Sequence, residues 1–316
     1  MPKDAPQHRI VFVFGALRSG TTVFRLMLDG HPRIKNPGEV DFLLDYLVPD
    51  KSHASGWRYD LGKLAENRVF LNSGLRLIEG KDGLELLAEF LDQYEARGSG
   101  VLTLNIHRNI GKVLQVLPAA RIIHMLRDPR DVARSSIGMG WSGTLYSGIN
   151  HWITTEAEWE AVSHALSGDR VHVLKYENLF RDIEAELRAV CGFLEVDFEP
   201  EMLEYHRNST YDPPDASLVE QWRSRSTADD IALVEGKAGP LMASHGYVQA
   251  GEGRTPSGAE HLWLLAKNRV LVWRTGVRRY GFLTYFLEKL ARYCGMEKLH
   301  RRLRNRMRDR SASFVK

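Results

Sequence analysis

Residues 15–22 read Gly15-Ala16-Leu17-Arg18-Ser19-Gly20-Thr21-Thr22, between an apolar run at 10–14 and the apolar residues Val23, Leu26 and Met27 at helical spacing. Two glycines allow a tight turn and a close approach of the backbone to a ligand. N–H groups from Arg18 to Thr22 then converge at the start of a helix, where the helix dipole favours negative charge. Arg18, Ser19, Thr21 and Thr22 add side-chain donors suited to a tetrahedral oxyanion. A plain strand-to-helix turn with a capping Ser or Thr is the simpler alternative; the order strand, loop, helix favours the anion site.

Phosphate-binding loops of nucleoside triphosphatases place Lys after the second glycine, and here Thr21 occupies that position. A kinase would also want an acidic strand end for Mg²⁺, whereas the apolar run 120–126 runs into Arg127. A loop lacking both suits transfer of a less charged group from a nucleotide, such as sulfuryl. Arg127 at a strand end and Ser135 one to two turns into the following helix can converge on one further phosphate, a forked donor beside a neutral one. His124, inside the apolar strand, reads as core, and Arg130, Asp131 and Arg134 read as an exposed helix face with local ion pairs.

These residues need a scaffold, and the pattern supplies one. Short β-branched runs at 10–14, 100–106, 120–126 and 170–176 read as buried strands, and helical patterns at 109–118, 128–138 and 180–194 separate them. Asp128 is the expected cap of the 128–138 helix, with Pro129 at its first position. Helical fragments are expected at 39–47 and 83–96. Alternating strands and helices predict a P-loop-type three-layer α/β/α fold with a mostly parallel central sheet, which binds ligands beyond the carboxyl ends of its strands. The stretches 15–22, 105–108 and 127–135 fall there.

The chain has 316 residues, 43% of them hydrophobic and 26% charged, enough for a full core. Cys191 and Cys294 form no disulfide framework and no metal-ligand spacing surrounds them; Cys191 reads as a buried helical residue. MPKDAPQH lacks a charged-then-apolar signal, so a cytoplasmic protein is expected. The net charge of +3 conceals an asymmetry: residues 251–316 hold sixteen Lys and Arg against five Asp and Glu, +11, which leaves −8 for residues 1–250. After the linker-like GEGRTPSG (251–258), residues 260–310 read as a helical C-terminal extension whose amphipathic helices are aromatic on one side and basic on the other. Packing on the body, dimerisation and an anionic membrane surface all fit that pattern, so peripheral membrane association is one expectation and the oligomeric state is open. Nucleic acid fits poorly, because the body is acidic and no recognised nucleic-acid-binding motif is present, so no nucleic-acid partner is expected.

At this point three motifs carry a resemblance. GALRSGTT resembles the 5′-phosphosulfate loop of the P-loop sulfotransferases, in the Arg-Ser-Gly-Thr-Thr form of the tyrosylprotein and carbohydrate branches. RIIHMLRDPRDVARS resembles the family's strand ending in Arg with Ser eight residues on, Arg127 and Ser135, and VLKYENL resembles its Tyr-Glu-x-Leu strand end at Tyr176. The resemblance spans roughly residues 9–248, so residues 1–250 are expected to form the nucleotide-binding sulfotransferase domain and 251–316 an extension. It implies 3′-phosphoadenosine 5′-phosphosulfate as sulfuryl donor, with Arg18, Ser19, Gly20, Thr21 and Thr22 at the 5′-phosphosulfate, Arg127 and Ser135 at the 3′-phosphate, and Tyr176 at the adenine. Trp222 and Arg223 resemble, more loosely, a late segment that closes over the nucleotide phosphates.

Sulfuryl transfer to a hydroxyl needs a base and positive charge on the leaving phosphate. Glu39 resembles the glutamate base of tyrosylprotein and glycan sulfotransferases, and His107 the histidine of the cytosolic enzymes. The Lys two residues before that histidine is Asn105 here, so Arg18 or Arg108 is expected to stand in. Without the resemblance, Glu39 would be a favourable first-turn charge and His107 a satisfied polar group. The expected acceptor is a hydroxyl, or less often an amine, on a glycan, lipid, peptide or small metabolite, and Trp57, Tyr59, Trp141, Tyr146 and Trp152 are expected to shape its pocket. An atypical nucleotide kinase, or a non-catalytic nucleotide- or membrane-binding protein on the same fold, are the competing readings.

Overall fold

The computed structural model describes residues 10–98, 100–209 and 215–311. The described residues form seven strands, β1 (Ile10–Phe14), β2 (Ile34–Lys35), β3 (Leu47–Pro49), β4 (Trp57–Tyr59), β5 (Val101–Ile106), β6 (Arg121–Leu126) and β7 (Val171–Lys175), with helices between most of them and after the last. The helices up to β7 are α1 (Thr21–Asp29), α2 (Phe42–Asp45), α3 (Leu61–Glu66), α4 (Arg68–Ser73), α5 (Gly83–Glu95), α6 (Ile110–Val116), α7 (Pro129–Met139), α8 (Leu145–Gly148) and α9 (Asn150–Ser163). Beyond it come α10 (Tyr176–Arg181), α11 (Ile183–Leu194), α12 (Trp222–Arg225), α13 (Ala228–Ser244), α14 (Gly258–Tyr280), α15 (Phe282–Tyr293) and α16 (Glu297–Ser311).

The chain divides into two compact units, Met1–Arg127 with Thr154–Val219, and Asp128–Ile153 with Glu220–Lys316. The first contains a five-stranded sheet in the order β2-β5-β1-β6-β7, every pair parallel. Alternation along β1 sorts its side chains between two cores. Phe12 and Phe14 join one cluster with Leu86, Phe90 and Val113, while Val11 and Val13 join another with Phe24, Leu187 and Val190. A parallel strand buried on both faces must be apolar at every position, which is why the run is continuous rather than alternating. Helices therefore cover both faces, the three-layer fold expected from the sequence.

Local chemistry explains several boundaries. Asp128 caps α7, its side chain accepting from the Arg130 N–H, with Pro129 at the first helical position. The pattern at 180–194 is broken in two because Asp182 leaves helical conformation and accepts from Ala185 N–H. In the expected helical fragment at 39–47, only 42–45 is helical. Gly38 and Val40 instead hydrogen-bond the backbone of Asn105, so Glu39 bridges to β5.

In the second unit, Tyr146, Leu233 and Leu264 form a small apolar cluster, and Gly143 N–H donates to Asn268 Oδ1 at 2.6 Å. Residue 250 lies in the loop before α14, inside this unit, and α14 packs on α8 as well as on α15 and α16. No described helix is long and apolar enough to cross a membrane. The MPKDAPQH segment lies outside the described residues.

Candidate active site

The Gly15–Thr22 loop leaves β1 and enters α1 with two of its residues in the left-handed region, Arg18 at φ 73° and Gly20 at φ 97°. Glycine is required twice. A Cβ on Gly15 would sit 2.3 Å from the Met125 carbonyl oxygen, and one on Gly20 would sit 2.4 Å from the Tyr176 ring. Ser19 N–H closes the turn onto Ala16 O at 3.0 Å. The Ser19 hydroxyl is fully buried and finds no hydrogen-bond partner among the described residues. No side chain caps α1, so its N-terminus is open to an anion. A buried hydroxyl without a partner is a cost that an anion at this loop removes.

The end of β5 meets this loop. Asn105, 1% exposed, donates to the Thr21 carbonyl at 3.1 Å and accepts from Asn36 Nδ2 at 2.8 Å. Asn36 also receives Gly38 N–H at 2.8 Å, so the segment that carries Glu39 is tied to the strand beside α1. Where the resemblance led one to expect Lys, a neutral amide joins three elements. Glu39 itself is exposed, and its carboxylate makes no hydrogen bond or ion pair among the described residues.

His107 is 3% exposed and held at both ring nitrogens. Nδ1 lies 3.0 Å from Asp41 Oδ2, and Nε2 lies 3.3 Å from Thr21 Oγ1. Asp41 also accepts the His107 backbone N–H at 2.8 Å, and Thr155 Oγ1 donates to the His107 carbonyl at 3.1 Å. Burial pushes the Asp41 carboxyl up, but hydrogen bonds and charge from His107, with the Arg108 charge, outweigh it and hold Asp41 below the usual range. Asp41 is the residue that sequence reasoning missed: it stands two positions after Glu39, but no local pattern pairs it with a histidine 66 residues later. Arg108 does not take the place of the lysine, since its guanidinium is committed to Asp45, at 2.8 Å through Nε, and to Asp41 at 3.6 Å.

Arg127 leaves β6 over the loop. It donates to the Arg18 carbonyl at 3.2 Å and to the Leu218 carbonyl at 3.1 Å, and its guanidinium carbon lies 4.0 Å above the Tyr176 ring. Tyr176 is 4% exposed and packs on Gly20 and on Phe180, at 4.5 Å between rings, so it forms a wall of the loop. His124 is core, as expected, bonded to buried Glu156 at 2.8 Å and packed on Trp159 at 4.1 Å.

Ser135, Trp222 and Arg223 belong to the second unit. Ser135 is half-buried on α7, Trp222 is 2% exposed and donates its backbone N–H to Asp131 Oδ1, and Arg223 pairs with Glu220 at 2.9 Å. The expectation of an exposed face at 130–134 is corrected here. Arg130 and Asp131 are buried: Arg130 bonds both Asp128 oxygens and Glu235, and stacks on Trp222 at 3.5 Å. The reason is that α12 and α13 pack on this side of α7. Three of the five aromatics expected to line an acceptor pocket are core as well. Tyr59 donates to the Leu43 carbonyl, Tyr146 bonds His261, and Trp152 packs on His245, while Trp141 is exposed and Trp57 half-buried.

Residues 11–200 match the profile described as the sulfotransferase family. Among curated proteins, the chain is 26% identical over 228 residues to a protein of Aquifex aeolicus (strain VF5) with no activity in its name. That match covers 69% of this chain, which spans only 29% of the relative's length. A Caenorhabditis briggsae protein named as a candidate protein-tyrosine sulfotransferase is 24% identical over 210 residues, 63% of this chain and 69% of its own. Two solved structures share the fold. The sulfotransferase domain from the Synechococcus PCC 7002 olefin synthase has a TM-score of 0.53 at 22% identity, covering 73% of this chain and 94% of that one. The sulfotransferase domain from the curacin biosynthetic pathway has a TM-score of 0.58 at 17% identity, covering 76% and 98%.

Proposed function

The chain belongs to the sulfotransferase family, and from that premise we propose that it moves the sulfuryl group of 3′-phosphoadenosine 5′-phosphosulfate onto the hydroxyl of an acceptor. One observation carries the reading: the loop that ends in Thr21 presents a buried, unpartnered Ser19 hydroxyl at an uncapped helix start, with the β5 end and its candidate bases beside it. In this reading the loop N–H groups, Ser19 and Thr22 hold the 5′-phosphate, and Arg18 carries charge to the bridging oxygen. Arg127 and Ser135 take the 3′-phosphate on the strength of the sequence motif, and Tyr176 supports the nucleotide by shaping the loop.

Glu39 is the base. Among the described residues its exposed carboxylate has no partner, and it hangs from a backbone bridged to Asn105, which leaves it available to an incoming hydroxyl. It takes the acceptor proton as the acceptor oxygen bonds sulfur and the bond from sulfur to the phosphate oxygen breaks, leaving a sulfate ester and the 3′,5′-bisphosphate. His107, occupied at both nitrogens, orients Thr21 instead. The Asn105 substitution does not argue for a lapsed enzyme, because the amide has work of its own in joining three elements. A kinase reading has no comparable support, since β6 runs into Arg127 and Thr21 replaces the lysine.

Binding of the 3′,5′-bisphosphate, AMP and ATP by calorimetry, followed by transfer of labelled sulfate to hydroxyl acceptors, tests the proposal. Preference for the bisphosphate with sulfate transfer is expected; preference for ATP would overturn it.

A further inference from the structure

The C-terminal helices carry an apolar face that the second unit leaves uncovered. Along α15, Phe282, Leu283, Phe286, Leu290 and Tyr293 are all exposed, Tyr293 at 92%. Their spacing places them on one arc of about 100° at 100° per residue, opposite the side on which Tyr285, Glu288 and Ala291 are buried. On α14, Leu262, Trp263, Val270 and Trp273 form a second exposed arc. The hairpin is closed tightly at one point: Gly276 meets the Tyr285 ring, which a Cβ there would strike at 2.2 Å. Trp273 then stacks edge-on against Tyr285 at 5.1 Å and Phe286 at 6.4 Å, which joins the two arcs.

Charge around this face has one sign. Glu260 and Glu288 are the acidic residues of α14 and α15. The first is held by Arg254 at 2.7 Å; the second is 4% exposed and lies between Lys289 and His300, each at 3.0 Å. Lys289 is paired with that buried Glu288, and six further bases on these helices, Lys267, Arg269, Arg274, Arg278, Arg279 and Arg292, outnumber the two carboxylates. A cleft of about 690 Å³ between the helices is lined by Arg269, Lys289 and Arg292 together with Trp273 and Tyr285.

We propose that the α14–α15 face docks on an anionic lipid bilayer, the apolar arcs at the acyl boundary and the bases on lipid phosphates. Trp and Tyr beside bases suit the headgroup level, where amphipathic helices with a basic polar side lie in the plane of the interface. A second copy of the same face would set uncompensated bases against bases, which disfavours symmetric pairing.

The test uses the full chain and vesicles of phosphatidylcholine alone or in equimolar mixture with phosphatidylglycerol. Two variants keep the fold and split the contributions: Phe282→Ser, Leu283→Ser and Tyr293→Ser together, and Arg269→Gln, Lys289→Gln and Arg292→Gln together, each checked for unchanged circular dichroism. The wild-type chain should sediment with anionic vesicles and not with neutral ones, and brominated lipid should quench its tryptophan fluorescence. Either variant should lower partitioning about tenfold or more. A chain that stays in the supernatant with anionic vesicles at low salt overturns the proposal, as does binding that neither variant weakens. So does self-association in sedimentation equilibrium that the apolar variant abolishes while vesicle binding is absent, an outcome that assigns the face to a second copy.

Discussion

His107 Nε2 lies 3.3 Å from the Thr21 hydroxyl, so the histidine after β5 addresses the first residue of α1. With Asp41 accepting from Nδ1, the ring is fixed in one orientation and one nitrogen is turned to the loop. His107→Ala is expected to weaken bisphosphate binding about tenfold, through a misplaced Thr21, and to lower kcat by no more than the same factor. Loss of all turnover with binding intact would transfer the role of base from Glu39 to His107. Calorimetry and steady-state kinetics on one preparation distinguish these results.

Glu39→Gln keeps size and hydrogen bonding but cannot accept a proton. We expect kcat to fall by about 10²–10⁴ with bisphosphate affinity nearly unchanged. Because Glu39 is exposed and has no partner among the described residues, the melting temperature should not move. A fully active Glu39→Gln enzyme excludes it as the base.

Arg127 both supports the loop, through the Arg18 carbonyl, and is assigned to the 3′-phosphate. Arg127→Ala should cost bisphosphate binding roughly 1.5–3 kcal/mol, on the order of ten- to a hundredfold, and AMP binding much less. Ser135→Ala, which removes one neutral donor, should show the same discrimination at smaller size. Equal losses for both nucleotides would leave Arg127 as a loop support alone.

Asp41 predicts a pH dependence. Its carboxyl is held below the ordinary carboxylate range by His107 and Arg108 in spite of its burial. A depressed folded value contributes stability that is present above the unfolded value, about 3.9, and is lost as pH falls through the folded value. The wild-type chain should therefore exceed Asp41→Asn in stability by about 1–3 kcal/mol at neutral pH. That margin should shrink below about pH 4, as read from urea midpoints across the range. A margin that is constant with pH would mean that the carboxylate charge contributes nothing.

Much of this was determined by the sequence alone. The β1 run, the Gly15–Thr22 loop and the start of α1 are encoded within about twenty residues by apolar pattern, two glycines and a helix start, and such signals are local. The same holds for Asp128 and Pro129 at the head of α7, and for the strand that delivers Arg127. Other features depend on what packs where, and no local pattern carries that. Whether Arg130 and Asp131 face water was decided by α12 and α13 packing on α7, and Tyr59 and Trp152 joined cores because neighbours enclosed them. At the site, tertiary structure brought Asp41 to His107 across 66 residues and turned Asn105 from a missing lysine into a tie between Asn36 and Thr21. The physical reason is common to all of these. A polar group removed from water must find its partner wherever the fold brings one, and only the assembled chain brings residues distant in sequence within hydrogen-bonding distance.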